Sequence, residues 1–224
     1  MPSRSRAIPN PVGVQLICQS DIVRRASLLL ATETDSTQPH SSPIAEQITG
    51  LRQQSAAIKQ AICGSLQQIS FIEGSPEDSL RLTSALDALI ESIEGCSQVL
   101  SANPPGSVEK IPAVGIACNL IFQCVNCICE CLKRLDSYAT DPAGHERPVD
   151  AVRSLESEIT RIIRRDLSRD EERDPSPLAG SQQTFGCIQV AADRCRDLAN
   201  LLEVIALKKS GLIGSRRLQP PRSA

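Results

Sequence analysis

The run VGIACNLIFQCVNCICECL, residues 114–132, decides how this chain is read. It places five cysteines within fourteen residues: Cys118, Cys124, Cys127, Cys129 and Cys131. From there, Asn119, Gln123, Asn126, Glu130, Lys133 and Ser137 recur at steps of 4, 3, 4, 3 and 4. That spacing draws one narrow polar stripe along an α-helix of about 3.6 residues per turn. At about 100° per residue, Cys124, Cys127 and Cys131 flank one side of the stripe, and Cys118 and Cys129 flank the other. The rest is aliphatic. The pattern predicts a nearly buried helix whose margins are lined by small, soft side chains.

Composition agrees with a helical body. A chain of 224 residues is long enough to bury a sizeable core. Its hydrophobic fraction is 41%, yet it has no Trp, one Tyr and three Phe. Leu, Ile, Val, Ala and Cys must therefore fill the interior, and a sheet of ordinary composition is not expected. The net charge of -2 gives no global field favouring nucleic acid or a membrane surface. Arg4 and Arg6 are followed by no long apolar segment, so no secretory signal is read and the ten thiols are expected to stay reduced. Arg and Ser are enriched in residues 1–30, a transit-peptide-like bias, though Asp21 interrupts it.

Outward from the cysteine run, start and stop signals divide the chain. Residues 1–43 read as a largely disordered N-terminal segment and linker, in which Val14 to Leu30 forms one or two short helices. Ser42-Pro43 opens a helix with Ser as N-cap and Pro at the first position. Its apolar face is Ile44, Ile48, Leu51, Ile58, Ile62, Leu66 and Ile69, interrupted at Ser55. Ser75-Pro76-Glu77-Asp78 is a second start, with two acids at the positive end of the dipole. Leu82, Leu86, Leu89, Ile93 and Val99 face inward there, and Asn103-Pro104-Pro105-Gly106 ends that helix. After the cysteine helix, Asp141-Pro142-Ala143-Gly144 is a break, and Val149 to Leu167 is the next helix. Residues 168–183 read as a charged loop. Gln183 to Lys209 is the last helix, burying Cys187, Ala191, Cys195, Leu198, Leu202 and Ile205. Residues 211–224 are a basic disordered tail. The expected fold is all-α: an irregular bundle of about five helices over a domain of residues 44–210, with no internal repeat.

No chemistry-bearing motif survives scrutiny. Cys124-x-x-Cys127 has a knuckle-like spacing, but no second pair follows, and one helix cannot wrap a tetrahedral ion. Cys96, Cys187 or Cys195 would have to complete such a site; buried thiols are the expectation, with no metal and no cofactor. Cys127-Ile128-Cys129 and Cys129-Glu130-Cys131 are not redox Cys-x-x-Cys motifs. His40 and His145 sit in polar linkers, away from any nucleophile. Phosphate-cradling glycine loops are absent. The basic pairs Arg24-Arg25, Arg164-Arg165, Lys208-Lys209 and Arg216-Arg217 are dispersed. No catalytic residue is assigned, and an enzyme is not expected.

Three segments carry a family resemblance. LTSALDALIESIEGCSQVL (82–100) precedes CNLIFQCVNCICECLKRLDSYA (118–139), and RCRDLANLLEVIALKK (194–209) follows. Together they resemble the C-terminal regulatory region of the fungal aflatoxin regulatory protein family, in which a Leu-bearing helix is paired with a cysteine-rich helix ending near an aromatic residue. Tyr138 would fill that last place. The likeness spans roughly residues 75–210 and rests on Cys, Leu and spacing. Full-length members also carry a zinc binuclear cluster of six cysteines, whereas residues 1–74 here hold only Cys18 and Cys63. The resemblance implies a nuclear, non-enzymatic transcription-regulatory protein of a fungal secondary-metabolite cluster. It would act by helix-mediated binding of a protein partner, either a DNA-binding transcription factor or a second copy, without reading DNA sequence itself. The alternative is a membrane-associated or organellar protein anchored by the apolar run 114–132, whose stripe of Asn119, Gln123, Asn126 and Glu130 would be costly in lipid. A cytoplasmic location is the remaining option.

Overall fold

A computed structural model describes residues 11–35, 42–68, 75–102, 112–135, 142–171 and 178–210. These form six helices: α1 (Pro11–Asp35), α2 (Ser42–Gln68), α3 (Pro76–Ala102), α4 (Pro112–Arg134), α5 (Pro142–Glu171) and α6 (Leu178–Lys209). No strand occurs among the described residues. The all-α expectation stands, with one helix more than expected. The tail 211–224, His40, Ser137, Tyr138 and the turns at 103–106 and 141 lie outside the described residues.

The added helix is α1, and it corrects the reading of residues 1–43 as largely disordered. Over Pro11–Asp35 the chain is one continuous 25-residue helix. Val12, Leu16, Val23, Ala26, Leu30 and Ala31 are buried on it. So are Gln19, Ser20, Ser27 and Glu33, while Val14 and Leu28 are exposed. This mixture blurs the apolar periodicity and hides the helix from sequence. Two further boundaries move. α5 begins at Pro142 and carries Pro148 inside it, sacrificing one backbone hydrogen bond without ending. At its other end it continues to Glu171, so the expected loop 168–183 is helical at both edges.

Neighbouring helices fall into two halves of three. α1, α2 and α3 pack on one another, as do α4, α5 and α6. α1 against α4 and α3 against α6 join the halves. Each half therefore repeats the same order of neighbours, a likeness of topology that no repeat in the residues announces. Directions follow from the pairings. Thr49–Glu94, Arg52–Glu91 and Lys59–Asp87 run antiparallel along α2 and α3. Arg153–Glu203, Arg196–Glu156 and Thr160–Gln189 do so along α5 and α6. α1 and α3 run parallel, since Gln19 meets Thr83 and Glu33 meets Ser97.

A polar node sits where α1, α2 and α3 meet. The Gln19 amide donates to Ser55 Oγ at 3.1 Å and to the Thr83 carbonyl at 3.2 Å. The Thr83 hydroxyl donates back to Gln19 Oε1 at 2.7 Å. All three residues are fully buried. Ser55 breaks the apolar repeat of α2 because this position answers Gln19. Nearer the other end, Glu33 accepts from Ser97 at 2.9 Å and from Ser101 at 3.3 Å.

α4 is buried as its stripe demands. Eleven of its 23 residues are buried, against eleven of 27 in α3. Asn119, Gln123, Glu130 and Lys133 are exposed and Asn126 is half-buried. Its margins use thiols to approach neighbours closely: Cys129 donates to the Ser20 carbonyl of α1 at 3.4 Å, and Cys124 lies 4.0 Å from the Val152 carbonyl of α5. α4 is long and apolar enough to cross a membrane by length and composition alone. Its apolar faces are occupied by α1, α5 and α6, so the membrane-anchor alternative loses its warrant.

Two outcomes follow for stability. Gln19→Ala strands the Ser55 and Thr83 hydroxyls and opens a void, and should lower unfolding free energy in urea by about 2–4 kcal/mol; a loss below about 0.5 kcal/mol, the range of inert surface changes, would deny the node its role. The second concerns pH. Burial, followed by the nearby Cys127, pushes the Cys131 thiol up to about 12, and burial also raises Cys96 and Cys129. A raised thiol keeps its proton in the fold, while the unfolded chain releases it near its ordinary value of about 8.5. This contribution is whole below about pH 8.5 and is lost progressively up to about pH 12. Under reducing conditions the melting temperature should fall steadily across that window, and Cys131→Ala should flatten the slope.

Candidate functional site

The cysteines are the first candidates, because three helices bring them together. Cys96 of α3, Cys118 and Cys124 of α4, and Cys195 of α6 are all buried, and Cys187 of α6 is partly so. Cys195 shares a hydrogen bond with Cys124; that bond and burial raise its thiol well above the ordinary range. Burial first, then the proximity of Cys118 and Cys187, raises Cys96 in the same way. Thiols held protonated are poor nucleophiles and poor ligands. Among the described residues no group of three or more His, Cys, Asp or Glu is arranged to hold a metal ion. Cys127 is half-buried, which corrects the expectation that it packs as fully as Cys124 and Cys131. Burial, then Cys124 and Glu130, raises its thiol.

The carboxylates form the second group. Glu94 is almost fully buried and takes the Thr49 hydroxyl at 2.7 Å and Arg52 at 3.1 Å. Glu156 holds Arg196 at 3.1 Å and the Thr160 hydroxyl at 3.2 Å. Asp78 receives Lys208 at 2.9 Å, so the C-terminal turn of α6 is tied to the N-terminal turn of α3. Each buried acid is thus committed to holding two helices in register. Sequence reasoning missed this interior polar set, Gln19, Glu33, Ser55 and Thr83 included. Its one visible signal was Ser55, standing in an apolar repeat.

Cations divide differently. Arg24 contacts Asp21 at 3.4 Å, and Arg161 pairs with Glu158, the carboxyl of which it holds below the usual range. Arg25, Arg164 and Arg165 are exposed. Position 145 lies in the first turns of α5 rather than in a linker. A shallow groove of about 510 Å³ runs along α2, lined by Ala56, Lys59, Gln60, Cys63, Gly64 and Gln67, with Asp87 from α3. Its only opposite charges, Lys59 and Asp87, satisfy each other at 2.9 Å. Taken together, the described side chains are organised for helix packing, and what they leave available is surface: the α4 stripe and the cationic side of α5.

Comparison with known proteins bears on what such a body is. No family model matches the chain, and no curated protein matches it. Solved structures do match it, and two of them cover most of the chain. A PhoU-like protein from Shewanella oneidensis MR-1 superposes with a TM-score of 0.74 at 16% identity, covering 88% of this chain and 99% of that one. A putative PhoU-like phosphate regulatory protein from the same organism gives 0.73 at 16%, with the same coverage. At this identity the likeness is one of fold. It overturns the resemblance to the aflatoxin regulatory family. Matching Leu and Cys spacings reflected helix amphipathicity, which unrelated bundles share. The implied role in fungal transcription and secondary metabolism falls with it, and the nuclear placement loses its basis. This chain has the fold of PhoU-like proteins.

Proposed function

We propose that this chain is a non-enzymatic regulatory protein of phosphate handling that works by binding a protein partner. The observation that carries the reading is the likeness of the helical body to a putative PhoU-like phosphate regulatory protein, over 88% of this chain and 99% of that one. The disposition of its ionisable groups supports it. Buried acids are spent on Thr49, Arg52, Lys208 and Arg196, and the Cys96 and Cys195 thiols are held protonated by burial and their neighbours. Such a molecule offers helical faces to a partner rather than a cleft to a substrate.

Two measurements test this. Deleting the gene should alter phosphate uptake, most visibly on transfer from phosphate-poor to phosphate-rich medium, and a plasmid copy should restore it. Uptake identical to the parent strain in both media would overturn the link to phosphate. The purified chain should also form no sequence-selective complex with DNA, because its net charge is -2 and Arg24, Arg161 and Lys208 are already paired with acids. Any gel-shift signal should be sequence-blind and vanish with added salt; a salt-resistant, sequence-selective complex formed without a partner would refute the partner-dependent mechanism.

A further inference from the structure

Five serines among the described residues are exposed: Ser75, Ser84, Ser154, Ser157 and Ser168. Their surroundings differ in charge. Ser75 has no basic residue nearby in sequence and caps the Asp78 amide. Ser84 follows Arg81 by three positions, but that guanidinium is held by Glu77 at 2.7 Å. Ser154 and Ser157 follow Arg153, which is bound to Asp150, Asn200 and Glu203. Ser157 is also followed by Arg161, bound to Glu158. Ser168 is different. Arg164 and Arg165 stand one turn before it, both exposed; among the described residues neither closes an ion pair, and Arg165 acts only from a distance on Glu158, which Arg161 already holds. The Ser168 hydroxyl lies over that turn, donating to the Arg164 carbonyl at 2.9 Å. It also sits three residues before the end of α5 at Glu171, in the turn where a helix frays most readily.

We propose that Ser168 is a phosphorylation site for an ATP-dependent protein kinase that reads the two cations preceding it. Acidic subsites on such a kinase would meet Arg164 and Arg165 while the frayed turn delivers the hydroxyl. In the transfer, Ser168 Oγ bonds to the γ-phosphorus of ATP, the bond to the bridging oxygen breaks, ADP leaves, and the hydroxyl proton passes to the kinase's base. The product carries about -1.5 to -2 charges at neutral pH. Neighbours three and four apart share a helix face. Both guanidinium groups can therefore reach the phosphate through charge-assisted hydrogen bonds. The end of α5, where Arg161, Arg164, Arg165 and Arg169 stand among Asp166, Asp170 and Glu171, thereby changes from slightly basic to acidic, and the core is left undisturbed because Ser168, Arg164 and Arg165 all lie on the surface.

The full-length chain should be incubated with ATP and a serine/threonine kinase that requires Arg three residues before its acceptor, and the phosphate mapped by mass spectrometry. A peptide of residues 160–172 serves as the comparison. The peptide that contains position 168 is expected to carry phosphate on Ser168 in the folded chain and none in Ser168→Ala. The doubly substituted Arg164→Gln, Arg165→Gln chain should react at least about tenfold more slowly, the loss expected for hydrogen bonds to charged groups, with unchanged circular dichroism. Modification of the peptide but not the chain would show that the fold withholds Ser168 and would overturn the proposal. So would failure of both to react, phosphate on other residues of the chain with none on Ser168, or an unimpaired double variant.

Discussion

The packing of α4 against α1 is the contact on which the bundle depends. These helices join the two three-helix halves, and each also packs against two others. With almost no aromatic volume available, the interior can reach native density only if helix axes approach closely. Ala117, Cys118, Cys124 and Cys129 permit that approach on α4, as Ala26 does on α1. Thiols add something alanine cannot. Cys129 places a weak donor on the Ser20 carbonyl, so the α1–α4 contact carries a directional element besides its area. A larger side chain at Cys129, where α4 meets α1, would wedge the halves apart, and the α3–α6 seam, closed by Asp78 and Lys208, would have to follow.

A core of Leu, Ile, Val and Ala is permissive about register, because one aliphatic contact resembles the next. The buried polar groups remove that freedom. Gln19 can satisfy Ser55 and Thr83 together at only one relative setting of α1, α2 and α3. Glu33 with Ser97 repeats the constraint fourteen residues further along α1. In the second half the same work falls to a seam of Arg153, Glu156, Arg196 and Glu203 near the surface. A displaced register would leave buried polar atoms unpaired, at about 1–3 kcal/mol each. Specificity thus comes from a few polar residues and cohesion from many apolar ones.

This division explains what could be read from the residues. α4 was legible because its polar stripe is narrow and unbroken, and α2 and α3 because Ser42-Pro43 and Ser75-Pro76 mark their starts. α1 was not, since its inward face carries Gln19, Ser20, Ser27 and Glu33 while Val14 and Leu28 face out. Its sidedness is set by partners distant in sequence, which local periodicity cannot see. The start of α5 was obscured by Pro148, a local signal that tertiary packing outweighs. The interior polar set was invisible for the same reason: Glu94 looks like any helical acid until Thr49 and Arg52 are opposite it. The family resemblance failed because Leu and Cys at helical spacing describe an amphipathic surface and nothing narrower.

The graded burial of the thiols makes the chain its own reporter of motion. Cys18 is exposed, Cys63, Cys127 and Cys187 are intermediate, and Cys96, Cys118, Cys124, Cys129, Cys131 and Cys195 are buried. A small alkylating reagent meets these groups in an order set by which part of the bundle opens. Labelling at Cys18 needs no opening at all, whereas labelling at Cys195 requires α6 to leave both α3 and α4. The residues that let the helices approach closely therefore also allow their separation to be timed, seam by seam, without introducing any foreign probe.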